Sequence, residues 1–424
     1  MTSSTARFID IHVLHPVPFS NLNRDDANAV KTVQYGGTLR TRVSSQCWKR
    51  AAREDFQTHI GQAALRTRRI GERVTRELQE RGWPADLALR AGGHLAAGSS
   101  IKFELAKDKD KEIIPNKVLT NVMVYVPEVA VGDLADLAEE FRPQLEVAKD
   151  IKKPADKSVL PKDRIETVLR SRNGVINLFG RMLAEVDEAG VDGAVQVAHA
   201  LTTHTTDVEV DYFSAVDDIT AAWKDSTGSG HMGHAEYSAG TFYRFATVDL
   251  RDLAANIGHE PDALRELTSA FLSAFIESVP HAKKNSTAPH TLPSLIHLSV
   301  RTDRPVSYAA AFEKPVRATE TSGFAEPSAD HLSAYAQAAN AMLGNGRILT
   351  SGFLSTASKD LSGLGIRYGS LDELLKTTLT SALTPHRPEP AHEQPRHSPA
   401  RARPAAAADG SFAVLGRAQP LHRP

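Results

Sequence analysis

Two hydrophobic periods share this chain, and their order narrows the fold more than any other feature. Near the start Ile9, Ile11 and Val13 alternate with Asp10, His12 and Leu14 until Pro16 and Pro18, which reads as a strand closed by the prolines. Strand-like alternation returns at Val195, Val197, His199 and Leu201, again around Phe242 and Arg244, and over 294–300, with a helix predicted over 261–279. A mostly helical, polar stretch over about 60–182, with one apolar run at 118–129, separates the first strand from the later ones. The alternation is that of an α+β core, and the long helical stretch with its charged loops is that of an insertion. No repeat of 20–50 residues is present, so the chain is not itself a solenoid.

After a polar loop at 20–26, Gly36-Gly37 marks a turn. Leu39, Thr41 and Val43 then alternate with Arg40 and Arg42, predicting an extended segment with one basic face. Ser44 or Ser45 caps a helix over 46–59. On it Gln46, Lys49 and Arg53 share one face, while Trp48, Ala52 and Phe56 share the other. One face packs and the other presents cations.

The whole chain carries 50 Lys+Arg against 51 Asp+Glu, a net charge of −1 that by itself argues against a polyanion partner. The distribution argues the other way. Between positions 7 and 53, Arg7, Arg24, Lys31, Arg40, Arg42, Lys49, Arg50 and Arg53 face only Asp10, Asp25 and Asp26. Several of them cluster around a helix N-terminus whose free N–H groups and dipole favour phosphate, beside a glycine turn that lets backbone approach a ligand. A second excess, eight cations against four acids, lies at 149–172.

Other classes are weaker. A single cysteine excludes an internal disulfide framework and a Cys-rich zinc module, and points to a reducing compartment. Positions 1–10 carry no signal-peptide core, and no apolar run approaches the ~18 residues of a membrane span. The expectation is a soluble cytoplasmic protein. The pairs His199/His204 and His231/His234 have no Cys or Glu at metal-site spacing, and no phosphate loop ending in Gly-Lys-Ser/Thr is present. Asp25-Asp26, next to Arg24, reads as a turn or ion-pair feature ahead of a cation site, and Cys47 reads as packing because no base stands near it in sequence. The segment 205–240, rich in Asp, Ser, Thr and Gly around Tyr212, Phe213 and Trp223, is a long connection of the functional or disordered kind. From 384 to 424, eight of the 23 prolines, six Arg and four His predict a disordered tail.

Several motifs in a fixed order carry a resemblance. Phe8-Ile-Asp-Ile-His12, Leu22-Asn-Arg-Asp-Asp26, Lys31, Tyr35-Gly-Gly37, Arg42-Val-Ser-Ser-Gln46 and Lys49-Arg-Ala51 come first. Ala198-His-Ala-Leu-Thr-Thr-His204, Asp211-Tyr-Phe-Ser-Ala-Val-Asp-Asp218 and Phe242-Tyr-Arg-Phe245 follow, with echoes at Val279-Pro-His-Ala-Lys283 and Ala311-Phe-Glu-Lys314. Together they resemble the CasC family, the backbone subunits of the type I-E CRISPR surveillance complex Cascade, within the RAMP superfamily. The likeness spans the chain to about position 379.

That resemblance implies an α+β fold: a modified RNA-recognition (ferredoxin-like) palm over 1–58, 185–204 and 241–383, a helical fingers insertion over 59–184, and an extended thumb over 205–240, with 384–424 outside it. It implies a non-catalytic subunit without cofactor or metal that polymerises along a CRISPR RNA, beside copies of itself and other Cascade subunits, with a target DNA strand as partner and a nuclease-helicase recruited separately. Guide contacts are expected from Asn23, Arg24, Lys31, Arg42, Ser45, Gln46, Lys49, Arg50 and Arg53. Met182 matches a methionine that packs on the distorted guide backbone, and Tyr212 and Phe213 match the thumb wedge, where the first aromatic is often Trp. Lys149, Lys152, Lys153 and Lys157 form a finger-loop cluster suited to target DNA. The alternative is a metal-dependent, guide-directed ribonuclease of the type III backbone kind using Asp25 or Asp26.

Overall fold

The computed structural model describes residues 5–216 and 229–384. The first strand β1 (Phe8–Ser20) is followed by the hairpin β2 (Thr32–Tyr35) and β3 (Thr38–Val43), then α1 (Ser45–Ile60). A long segment carries β4 (Ala64–Thr67), α2 (Ile70–Glu80), α3 (Ala85–Ala97), β5 (Phe103–Lys107), β6 (Ile113–Thr120), β7 (Val124–Pro127), α4 (Ala130–Glu140), α5 (Arg142–Val147), α6 (Lys162–Arg170) and α7 (Gly174–Phe179). The main sheet resumes with β8 (Val195–Val197), β9 (Ala200–Thr202), β10 (Glu209–Val216) and β11 (Ser229–Asp249). Then come α8 (Leu250–Asn256), α9 (Pro261–Glu277), α10 (Lys284–Thr287), β12 (Leu295–Arg301), α11 (Ala325–Leu343), β13 (Ile348–Ser355), β14 (Ile366–Arg367) and α12 (Leu371–Leu383).

The central strand β1 pairs antiparallel with both β11 and β12, and β11 pairs antiparallel with β8. With α1 and α9 as the crossovers, the order β1–α1–β8–β11–α9–β12 and the sheet order β12-β1-β11-β8 are the ferredoxin-like pattern, in an α+β fold as expected. Strands β13 and β14 extend one edge, and β9, β3 and β2 the other. Ile9, Ile11 and Val13 pack with Phe56 of α1, Phe271 and Phe275 of α9 and Leu374 of α12. Each fully buried side chain of this kind contributes about 1.5–3 kcal/mol.

Two expectations need correction. Pro16 and Pro18 do not close β1: pairing with β12 ends at Leu14, but pairing with β11 runs on to Val17 and, past a bulge, Ser20. Prolines sit where the strand has lost one neighbour. Both faces of β1 are covered, because every residue from Phe8 to His15 is buried. Tyr308, Phe312, Leu332 and Ala336 cover the second face over Leu14, Tyr243 and Phe245. The open aromatic sheet face that RNA-recognition folds use to stack bases is therefore absent here. Finally, the stretch read as mostly helical also holds two strand pairs, β4–β7 and β5–β6. The latter hid in the charged run at 102–117, whose turn is closed by the Asp108 carboxylate accepting from the N–H groups of Asp110 and Glu112.

This long segment has a hydrophobic core of its own, including Val74, Leu78, Leu95, Val118, Leu134 and Leu169. Its two ends join α1 and β8. Between β9 and the sheet portion of β11, strands β10 and β11 form a hairpin, with Glu209 opposite Tyr237 and Val216 opposite Ser229. Part of the expected aromatic connection, including Trp223, and the expected tail from 385 lie outside the described residues. Among those described, no helix is long and apolar enough to cross a membrane.

Candidate nucleic-acid interface

Helix α1 is built as its periodicity predicts, with Trp48, Ala51, Ala52 and Phe56 buried and Gln46 and Arg50 exposed. Ser44 is the cap, its hydroxyl accepting from the Cys47 N–H at 3.3 Å. Beneath the helix the fully buried Arg244 stacks 3.8 Å from the Trp48 ring centroid and donates to the Phe275 and Ile276 carbonyls at the end of α9. Burial lowers its pKa to about 9, and burial beside it takes His15 down to about 3. Arg244, part of the Phe242–Phe245 motif, thus fastens both crossover helices to the sheet.

The exposed side of α1 borders a groove of about 580 Å³ lined by Gln46, Lys49, Arg50 and Arg53 with Arg66, Tyr125, Phe179 and Gly180. Arg66, Phe179 and Gly180 also line an adjoining cavity of about 830 Å³ that contains Met182. The two adjoin across these three residues and together make a trough. Lys49 Nζ donates to the Phe179 carbonyl at 3.4 Å, and its pKa is lowered by burial first, then by Arg66 and Arg53. Arg53 and Arg66 lie 6.0 and 5.7 Å from the Tyr125 ring centroid. Met182 is 90% exposed, although the preceding Arg181 is buried and holds the loop by donating to the carbonyls of Ala189, Tyr125, Ser171 and Arg170. Such a trough offers several cations and donors on its α1 side and an apolar tip at Met182, where Asp187, Glu188 and Asp192 also line the wall: its α1 side suits a phosphate–sugar backbone.

Sequence reasoning missed Arg66, Tyr125 and Arg181. Arg66 and Tyr125 are directly opposite on β4 and β7, a pairing visible only once that register is known.

The loop before α1 is docked on it. Asn23 Oδ1 accepts from the Ser44 N–H at 2.8 Å and its carbonyl from the Lys31 N–H at 3.3 Å, so Asn23 shapes the loop. Arg24 is exposed and donates to Asn28 Oδ1 at 3.1 Å. Asp25 closes the turn by accepting from the N–H groups of Ala27 and Ala29, both at 2.9 Å. Asp26 is exposed. Arg42 and Ser45 meet at His199, another residue missed as a partner of α1: Ser45 N–H donates to its Nδ1 at 3.0 Å, with the Arg42 guanidinium at 3.3 Å. His204 stacks on Phe324 with centroids 3.6 Å apart and accepts from the Thr241 N–H, so the two histidines serve different structures. Among the described residues no cluster of three or more His, Cys, Asp or Glu is placed to hold a metal ion. Burial pushes Cys47 up to about 11, as a packing thiol requires.

The basic strip is narrower than its sequence. Arg40 is fully buried and donates to the Thr202, Phe312 and Glu313 carbonyls, so β3 has no basic face there. Arg7 pairs with Asp249 at 3.3 Å and Arg50 with Glu54 at 2.8 Å. The glycine turn meets protein: Gly36, at φ 59°, lies so close to the Glu313 carbonyl that no Cβ fits.

Residues 9–377 match the model of the family described as CT1975-like protein. The chain belongs to that family. Two solved structures resemble this CT1975-like protein. A chain of a "CRISPR RNA-guided surveillance complex, pre-nicking" is 43% identical, with TM-score 0.80, and a chain of a "CRISPR RNA-guided surveillance complex" is 38% identical, with TM-score 0.71. Each match covers 88% of this chain and 100% of the other. No curated protein matches. The likeness to CasC read from the motifs agrees with these neighbours.

In this CT1975-like chain the remaining candidates do not line the trough. Tyr212 and Phe213 are neighbours on β10 and so point to opposite faces of the hairpin. Tyr212 is 78% exposed beside His234, and Phe213 covers Gly233, where a Cβ would come within 2.6 Å of its ring. Lys149, Lys152, Lys153 and Lys157 are exposed between α5 and α6. The Asp156 carboxylate shapes their loop by accepting from the N–H groups of Lys152 and Lys153. Lys157, with Lys102 and Lys162, lines a separate cavity of about 580 Å³.

Proposed function

We propose that this chain is the backbone subunit of a CRISPR RNA-guided surveillance complex, of type I-E, and that it acts without catalysis in antiviral defence in the cytoplasm. The family match and the two surveillance-complex neighbours support membership of such a complex. The observation that carries the backbone role is the pair of adjoining cavities that bring α1 and the Met182 loop to shared walls at Arg66, Phe179 and Gly180. Arg24, Lys31, Arg42, Ser45, Gln46, Lys49, Arg50 and Arg53 hold guide phosphates and sugars, with Asn23 fixing the loop, and leave sequence choice to base pairing. The sheet and its helices act as palm and the 59–184 insertion as fingers. The β10–β11 hairpin acts as a thumb whose Tyr212 and Phe213 kink the guide held by a neighbouring copy. Lys149, Lys152, Lys153 and Lys157 attract the target DNA strand. Asp25, engaged in its turn, favours this reading over a ribonuclease. The test is the ultraviolet absorbance of the natively purified assembly: a nucleic-acid ratio supports the reading, and a protein-only spectrum contradicts it.

A further inference from the structure

Among the described residues, one exposed aromatic lies outside the trough and outside the wedge pair. Phe19, at the end of β1, is 40% exposed, and its inner side rests on Tyr237 of β11, with centroids 4.4 Å apart and rings 24° from parallel. Tyr237 is buried at 7% exposure, and Lys283 Nζ lies 4.6 Å from its ring centroid and donates to its hydroxyl at 3.4 Å. The outer Phe19 ring is thereby backed by a second ring and a cation, which makes it a fixed, flat, solvent-facing surface.

Its surroundings are cationic on the Lys283 side, whereas the 24–31 loop on the other side balances Arg24 and Lys31 with Asp25 and Asp26. The Lys283 loop, where Lys283 itself adopts φ 52°, continues into exposed Lys284, and His281 at its start lies 3.8 Å from Glu54, the partner of Arg50 on α1. On the other side the Arg24–Lys31 loop is tied next to Tyr237, since Glu236 accepts from the Val30 N–H at 3.0 Å and from Asn21 through its carbonyl. Of the nearby carboxylates, Glu236 is engaged in that contact and Glu209 stands opposite Tyr237 on β10, while Lys283 and Lys284 are the cations available to a phosphate. Bases stack on aromatic faces whatever their sequence, and ammonium groups beside the ring take the phosphate.

We propose that Phe19, backed by Tyr237 and Lys283, is a stacking site for one base of the guide RNA where the strand passes between α1 and the hairpin root. This rests on the guide-RNA reading above. The experiment uses the full chain and single-stranded RNA with 2-aminopurine at successive positions. Wild type quenches the probe at positions recurring once per bound copy. Phe19→Ala relieves that quench and weakens binding about fivefold or more, the lower end for loss of one stack, while Phe19→Trp retains both. Lys283→Ala lowers the quench and Lys283→Arg restores it. An unchanged quench pattern and affinity in Phe19→Ala overturns the site while leaving the guide-RNA reading intact, and quench confined to probes in DNA overturns it as well. Absence of RNA binding by the wild type overturns the guide-RNA reading and the site with it.

Discussion

The Lys49 ammonium donates to the Phe179 carbonyl at 3.4 Å and lies 5.7 Å from the same residue's ring centroid, joining helix α1 to the loop that carries Met182. This keeps a half-buried cation at the joint of the trough.

Burial, Arg66 and Arg53 lower the Lys49 pKa, so its charge is lost at a lower pH than that of an exposed lysine. RNA affinity therefore declines on the alkaline side below the usual lysine range as pH rises through the Lys49 value. Lys49→Arg, whose guanidinium stays charged, holds affinity to higher pH. Filter-binding titrations across alkaline pH read the difference.

Asp10 is buried in the sheet, with one oxygen accepting from the Val306 N–H at 2.9 Å, and faces Thr247, Arg301 and Asp303. Burial raises its pKa to about 7, against the other groups' net pull. A carboxyl that binds its proton more tightly when folded gives stability that is fully present below the unfolded pKa of about 3.9 and lost as pH rises to about 7. Asp10→Asn should match wild type near pH 4 and exceed it by a few kcal/mol at pH 8, in the range ~2–4, as read by denaturant unfolding.

Arg244→Ala removes the cation under Trp48 and leaves the Phe275 and Ile276 carbonyls without it. The expected loss is about 3 kcal/mol of unfolding free energy, with Trp48 fluorescence changing in the folded state. Arg244→Lys recovers little, because a single ammonium lacks the planar fork that meets both carbonyls and the ring.

Replacing Tyr212 and Phe213 together by Ala should leave the fold unchanged, since both are on the hairpin and Tyr212 is 78% exposed. Chemical probing of a bound guide should then lose its regular kinks, each base–aromatic stack being worth about 1–3 kcal/mol. Unaltered periodicity would remove the hairpin from that role.

The helix α1, its inner and outer faces and its serine cap were legible because 3.6-residue periodicity and capping are local properties. So were β12 and α9 to within two residues. The trough was legible only on its α1 side. Arg66 and Tyr125 come together through strand register in a segment that reads as mostly helical, and local pattern does not encode that pairing. The same limit explains Arg40 and Gly36: both read as ligand-facing, and both contact the Glu313 carbonyl through a tertiary approach across more than 270 positions. The buried second face of β1 was hidden for a related reason, because polar Asp10 and His12 follow the alternation of a wet face while α11 and the 3₁₀ turn Ala309–Phe312 come from far along the chain to cover them.

The central claim is that the α1 trough holds guide RNA by its backbone. Its direct measurement is the salt dependence of binding for two unrelated guide sequences, with wild type and with Lys49→Ala combined with Arg53→Ala. The account predicts equal weakening for both guides and a log–log slope shallower by roughly 0.7 for each phosphate that is no longer neutralised. An unchanged slope, or weakening confined to one guide, would contradict it.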